Sequence, residues 1–373
     1  MTPRKRNWLQ RMFGNPEQNS SHRSGESQPA HPGVHNEETG TPPEPDHLGD
    51  PHPVFTELTM RQAMAMEEQL RRSLEERGFA VEFEDYSVKF ARSENQTRTM
   101  GLDNLPRLLA QLDDFDAEMP ETVDEFVGNL VAAMDSPRLP DAEFYAAMRV
   151  RLAPMDQKGN EDFGKDSPLR PFSEDAFIRL VLDTEQSIQS LTTPALEDRG
   201  PVEDLYRMGY RNLWQELVDS DMSFSEYAPN KDNPDEKCWL LEGTNFFIGS
   251  APLFLEELFE RNAPHVDRSN GLIFAMPFRH VTIAREVTNG SDLMNSIGLM
   301  ASLAAELYTT QPGAVSPRLH LMHMGEVETF TNVVWGQGNS RQAEIHIKPN
   351  AYLMGRISDG LDDGPEGPEG PVL

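Results

Sequence analysis

His320 and His323 stand three residues apart with Glu326 close behind, a donor set that suits a transition metal if one ion can reach all three. Side chains alternate along a strand, so His320 would share a face with Met322, and His323 the other face with Leu319 and Leu321. Coordination by both rings therefore needs a bulge or turn, which Gly325 can supply. Ile248-Gly249-Ser250-Ala251-Pro252 runs from an expected strand into an expected helix, where a nucleophile elbow would sit. That motif needs glycines two positions either side of the serine, and Ile248 and Pro252 stand there. Ser250 is therefore expected to be a helix N-cap. Cys238 follows Lys237, which would lower a thiol pKa. It also heads the run Cys238-Trp239-Leu240-Leu241, and unpaired cysteine is among the most buried residue types, so packing is the expected role. His346, between Ile345 and Ile347, is expected on the opposite, solvated face beside Glu344 and Lys348.

Arg279 poses the sharper question. After Pro277, alternation places Arg279, Val281 and Ile283 on one face of a strand and Phe278, His280 and Thr282 on the other. A guanidinium that shares a face with two β-branched residues leaves bulk water and needs a partner. One reading is an internal carboxylate, for which Asp183, at the end of a mostly apolar strand, is the candidate. The other is a bound anion. Asp183, Ser250, Arg279 and His280 are also the residues on which a hydrolase-type site would draw. No residue is assigned as catalytic, cofactor-binding or metal-binding, and no cofactor is expected.

Other motifs are missing. The chain has no G-x-x-x-x-G-K-[ST] and no H-E-x-x-H, and Gly336-Gln337-Gly338 lacks the third glycine of a dinucleotide fingerprint. The acidic loop Asp156–Asp166 lacks the Gly and Glu positions of a calcium loop. The 373 residues include 33 Lys and Arg against 62 Asp and Glu, a net charge of −29. Such a chain is a poor general binder of phosphate backbones, so no nucleic-acid partner is expected. The lone cysteine excludes an internal disulfide and any multi-Cys zinc site. No apolar run approaches the ~20 residues of a membrane span, and nothing after Arg4-Lys5-Arg6 forms a signal-peptide core. A cytoplasmic, bacterial-style protein is expected.

The elements that would position these residues follow from periodicity. Residues 1–53 read as disordered, since 14–53 carry almost no aliphatic side chains and hold half of the histidines. Arg4, Lys5, Arg6 and Arg11 interleave with Trp8, Leu9, Met12 and Phe13, compatible with an interfacial or docking peptide or with a frayed start. A small α+β domain is expected over 54–152. Its parts are a helix with Ala63, Met66, Leu70 and Leu74 on one face ending at Gly78, and a hairpin over Phe79–Phe90. Helices from near Leu105 and near Pro120 follow, with a closing strand at Met148–Leu152. Residues 153–172 read as a linker or loop.

A larger α+β domain is expected over 173–352. Its strands are Phe177–Leu182, Cys238–Leu241, Leu272–Met276, Phe278–Ala284, Leu319–Met322, Val327–Trp335 and Ala343–Ile347. One helix opens at Gly200-Pro201 with the proline at its first position, another begins after Ser250, and a long one spans Ser291–Thr309. Residues 353–373 read as a disordered acidic tail. Strands and helices are mixed without regular alternation, so the class is α+β with mostly antiparallel strands.

The order of certain short segments resembles that of the YtpQ-like proteins, an uncharacterised bacterial family. They are Gly101-Leu102-Asp103-Asn104-Leu105, Val181-Leu182-Asp183-Thr184-Glu185-Gln186-Ser187 with Leu191-Thr192, and Asn212-Leu213. Gly271-Leu272-Ile273, Pro277-Phe278-Arg279 and Ser316-Pro317 continue the series. The similarity covers about residues 55–350. It implies a cytoplasmic α+β chain and brings no catalytic residue. Two functions stay open: a non-enzymatic interaction or regulatory protein with a protein partner, and a hydrolase-type enzyme whose site is assembled from distant residues.

Overall fold

The computed structural model describes residues 48–359 apart from 85, 93–97, 103, 136–137, 156–165, 185–187, 231–232, 234 and 337–342. The basic-aromatic N-terminal peptide, most of the acidic loop at 156–166, the Gly336–Asn339 turn beyond Gly336 and the Gly-Pro-Glu repeats lie outside these residues. The described residues belong to one unit, Asp46–Leu373.

Folded chain already includes Leu48, ahead of the start expected near Val54. The first amides of helix α1 (Met60–Glu76) have no acceptors within the helix. Met60 N–H donates to Asp50 O at 2.8 Å and Arg61 N–H to Leu48 O at 3.0 Å, so this stretch folds back to satisfy them. Thr59 and Gln62 form a reciprocal capping box, and the turn after the helix uses Gly78 at φ +82°. Ala63, Met66, Leu70 and Leu74 are fully buried, as their spacing predicts. They pack on the expected hairpin, β1 (Ala80–Glu84) and β2 (Ser87–Ala91), which β3 (Arg98–Gly101) extends. Helix α2 (Asn104–Leu109) and helix α3 (Phe115–Asp135) complete this core. Helix α3 starts five residues before the proline expected to open it (Pro120), because Asp114 accepts from Ala117 N–H at 3.2 Å and caps the end.

Helix α4 (Asp141–Ala147) runs into β4 (Met148–Pro154). The sequence suggests that β4 closes the first unit. It lies instead beside β6 (Ala176–Asp183), in a sheet with β5 (Arg170–Pro171) and β7 (Ile188–Ser190), and pairs antiparallel from Met148↔Leu182 to Pro154↔Ala176. Val150 and Leu152 stand opposite Leu180 and Ile178, a long-range apolar ladder that periodicity within one segment cannot reveal. The first core therefore ends with α3, and Phe144 and Met148 already belong to the second.

Helix α5 (Thr193–Leu196) precedes α6 (Val202–Asp219), whose Leu205, Tyr206, Leu213 and Leu217 are buried. Gly209 lets α6 sit against β4: a Cβ there would lie 2.9 Å from Val150 Cγ1. Strands β8 (Ser223–Tyr227) and β9 (Cys238–Glu242) lead to a 3-10 helix, Ile248–Phe254, and helix α7 (Leu255–Asn262). Strands β10 (Leu272–Phe278) and β11 (Val281–Glu286) precede helix α8 (Gly290–Thr310), and β12 (His320–His323) and β13 (Glu326–Thr329) follow it. They build an antiparallel sheet in the order β13-β12-β10-β11-β9-β8, with α8 against it. Leu272, Phe274, Met276 and Ala284 of this sheet share a core with β4, β6 and α6.

Two terminal expectations need correction. Val327–Trp335 is not one strand. Buried Phe330, whose N–H donates to Leu319 O at 3.1 Å, divides β13 from β14 (Thr331–Trp335), which pairs with β15 (Ala343–Ile347). Residues 353–358, expected within a disordered tail, belong to helix α9 (Ala351–Ser358). Asn350 caps it and Leu353 and Ile357, four apart, bury its inner face. The fold is α+β, and no described helix is long and apolar enough to cross a membrane.

Candidate anion site

Arg279 and His280 are not inside a strand but form the two-residue turn between β10 and β11. The turn is fixed from two sides: Arg279 N–H donates to Gly313 O at 3.0 Å, and Gly249 N–H donates to Arg279 O at 2.9 Å. Both glycines are required by space. A Cβ on Gly249 would lie 2.7 Å from Phe278 O, and one on Gly313 would lie 2.6 Å from Arg279 Cδ. Gly313 also holds φ +80°, a backbone region that other residues rarely enter. The aliphatic stem of Arg279 is thus laid over Gly313.

Its head group is held as firmly. The Arg279 guanidinium stacks over Phe246, Cζ 4.5 Å from the ring centroid, and its Nε donates to His280 Nε2 at 3.1 Å. His280 Nδ1 lies 3.1 Å from Asn245 O, so the proton is on Nδ1 and Nε2 is left to accept. Burial, then the Arg279 charge, push the His280 pKa down to about 4, and the ring is neutral at pH 7. Arg279 Nη1 and Nη2 make no hydrogen bond to a described residue, and burial pushes the pKa of the group down.

Two more arginines stand close by. Arg151 on β4 is paired in register with Arg179 on β6, so both leave the same face of that sheet. The edge of β4 is joined to the 3-10 helix by Ser250, whose Oγ accepts from Leu152 N–H at 3.0 Å. Gly249 of that helix bonds the Arg279 turn, which brings Arg279 close enough to Arg151 for their charges to interact. Burial pushes the pKa of Arg151 down to about 10, and Arg279 and Arg179 push in the same direction. Burial brings Arg179 to about 10 as well. Among the described residues, no carboxylate lies within ion-pair distance of Arg151 or Arg279.

The expected partner is elsewhere. Asp183 sits near Arg149 and Glu216, where burial raises its pKa, Arg149 opposes this and Glu216 adds to it. Arg149 already pairs with Glu216 at 3.4 Å, beside a 560 Å³ cleft between α4 and α6 lined by Tyr145, Asn212 and Gln215. Ser250 is not a helix N-cap. It is buried inside the 3-10 helix with its hydroxyl engaged by β4. Asp183, Ser250 and Arg279 therefore do not assemble into one site.

His320 and His323 also go separate ways. His320 is fully buried, with Nδ1 2.9 Å from Thr329 Oγ1, while His323 stacks on Tyr352 with centroids 4.1 Å apart. Around His320 lies a Ser-His-Asp set that the sequence does not suggest. Ser316 Oγ donates to Asp175 Oδ2 at 2.7 Å and lies 3.4 Å from His320 Nε2. In a hydrolytic triad the acid orients the histidine. Here it accepts the serine's hydrogen bond and stays 4.0 Å from His320 Nε2, and Ser316 and His320 are both 0% exposed. The set joins β12 to the turn before β6. Cys238 is buried and its thiol pKa is pushed up to about 12 by burial, as expected for packing.

Sequence reasoning named Arg279 and His280 and missed Arg151 and Phe246. Arg179 left a signal, as the one charge inside an otherwise apolar strand. Comparison with family models, curated proteins and solved structures gave no match.

Proposed function

We propose that this chain is a non-enzymatic interaction or regulatory protein that receives an anionic group of its ligand or protein partner at Arg151 and Arg279. One observation carries the reading: the guanidinium groups of Arg151 and Arg279 lie close enough for their charges to interact, and among the described residues no carboxylate lies within ion-pair distance of either. Removing one member of a buried ion pair typically costs ~3–5 kcal/mol, so holding two neighbouring half-buried cations with no described carboxylate beside them carries a burden in that direction. An anion arriving from outside relieves it. Phe246 and His280, whose Nε2 lone pair is taken by Arg279 Nε, orient the Arg279 fork, which favours binding over hydrolysis.

Nucleic acid is a poor fit as the partner, because a chain of net charge −29 repels a polyanion. The motif order that resembles the YtpQ-like proteins supports placing the chain with that family, and the buried lone thiol of Cys238 fits a reducing cytoplasm. Scanning fluorimetry across sulfate, phosphate and carboxylate salts at one ionic strength tests the anion reading. A saturable rise in Tm with any of these anions, weakened in Arg279→Gln, supports it. Curves that depend on ionic strength alone contradict it.

A further inference from the structure

The geometry points to a phosphoryl monoester as the group that Arg151 and Arg279 receive, an inference that rests on the anion reading above. Charge is the first argument. A phosphoryl monoester carries about −1.5 to −2 at pH 7, matching two arginines, whereas one carboxylate would leave a buried guanidinium unmatched. Donor count is the second. With Arg279 Nε committed to His280 and its stem fixed on Gly313, the terminal Nη groups are presented as a fork. Arg151 arrives from β4 with a second guanidinium. Two forks on one carboxylate crowd onto two oxygens, whereas the three free oxygens of a monoester let each fork take its own pair of acceptors with one shared.

Access and selectivity follow from the rim. Phe246 is 44% exposed and Arg279 and His280 are half-buried, so the edge of the fork meets solvent. The aromatic face of Phe246 beside it offers apolar contact to whatever carries the ester. The chain's net charge of −29 works against polyphosphates and nucleic acids at long range and favours a single phosphoryl group on an uncharged or basic carrier. That carrier is either a small ester or a phosphorylated side chain of a partner protein.

Titration calorimetry of the full chain tests this with three probes at equal ionic strength: phenyl phosphate, benzoate, and a phosphoserine peptide with lysines on both sides. Phenyl phosphate is expected to bind saturably and benzoate not. Arg151→Gln and Arg279→Gln should each weaken phenyl phosphate by about tenfold or more, as for loss of a charge-assisted hydrogen bond. Arg279→Lys, which keeps the charge without the fork, guards against a variant that misfolds and should also lose most of the binding. A peptide that binds tighter than phenyl phosphate, with its unphosphorylated form inert, supports the inference and makes a partner protein the source. Equal or weaker peptide binding supports it with a small ester as the source. Benzoate binding without phenyl phosphate binding overturns the phosphoryl assignment and leaves the anion reading standing. Binding of neither overturns both.

Discussion

Arg151 and Arg179 stand directly opposite one another in the β4–β6 ladder, two guanidinium groups on one face of neighbouring strands. Like charges in directly opposed positions destabilise an antiparallel pair, and burial magnifies the effect. The Arg279 turn brings a further positive charge to bear on Arg151.

Arg151→Met should therefore raise stability in anion-free buffer, by about 1–3 kcal/mol, because it removes a buried charge and keeps most of the side-chain volume. Urea denaturation at pH 7 measures this. A loss of that size would mean that Arg151 holds a carboxylate after all.

Gly313→Ala should lower stability by about 1–3 kcal/mol, since φ +80° is unfavourable for alanine and its Cβ would meet Arg279 Cδ at 2.6 Å. The same variant should lose the anion response, because displacing the stem displaces the fork. Unchanged anion binding would show that Arg279 is not held by Gly313.

Acid should destabilise the fold through His280 and His320, whose pKa values are lowered to about 4, first by burial in both cases. The sign follows from linkage. A folded pKa below the unfolded value of ~6.5 makes protonation favour the unfolded chain, so the stability is fully present above pH ~6.5 and is lost as pH falls toward 4. The combined loss should be a few kcal/mol. His280→Asn should flatten part of the slope, and a variant with the same profile as the parent would remove His280 from the explanation.

Deleting residues 351–373 should cost about 3–5 kcal/mol, since Leu353 and Ile357 would no longer cover the core. Thermal unfolding of the truncated chain checks it. An unchanged Tm would return α9 to the status of a tail.

Much of the fold was legible because the segments are locally periodic. The face of α1 from Ala63 to Leu74, the Phe79–Phe90 hairpin and the long α8 follow from side-chain spacing alone. What the sequence concealed is long-range. β4 finds its partner in β6, across the segment expected to be a linker, and Ser250 gives up capping because an edge amide of β4 needs an acceptor. The Arg279 turn was read as strand because alternation continues through Phe278–Val281, while the bonds that bend the chain come from Gly249 and Gly313. Asp183 was a reasonable partner by residue type and lies beside Arg149 instead. Arg151 could be placed at the site only once β4 had its neighbours.

The most direct measurement is the arginine side-chain NMR spectrum of the full chain, with the guanidinium signals assigned by substitution, during titration with phenyl phosphate. The account predicts saturable shifts at Arg151 and Arg279. Arg285, already bonded to Asp292 at 2.6 Å, should stay unmoved. Shifts spread evenly over all arginines, or none at Arg151 and Arg279, would contradict it.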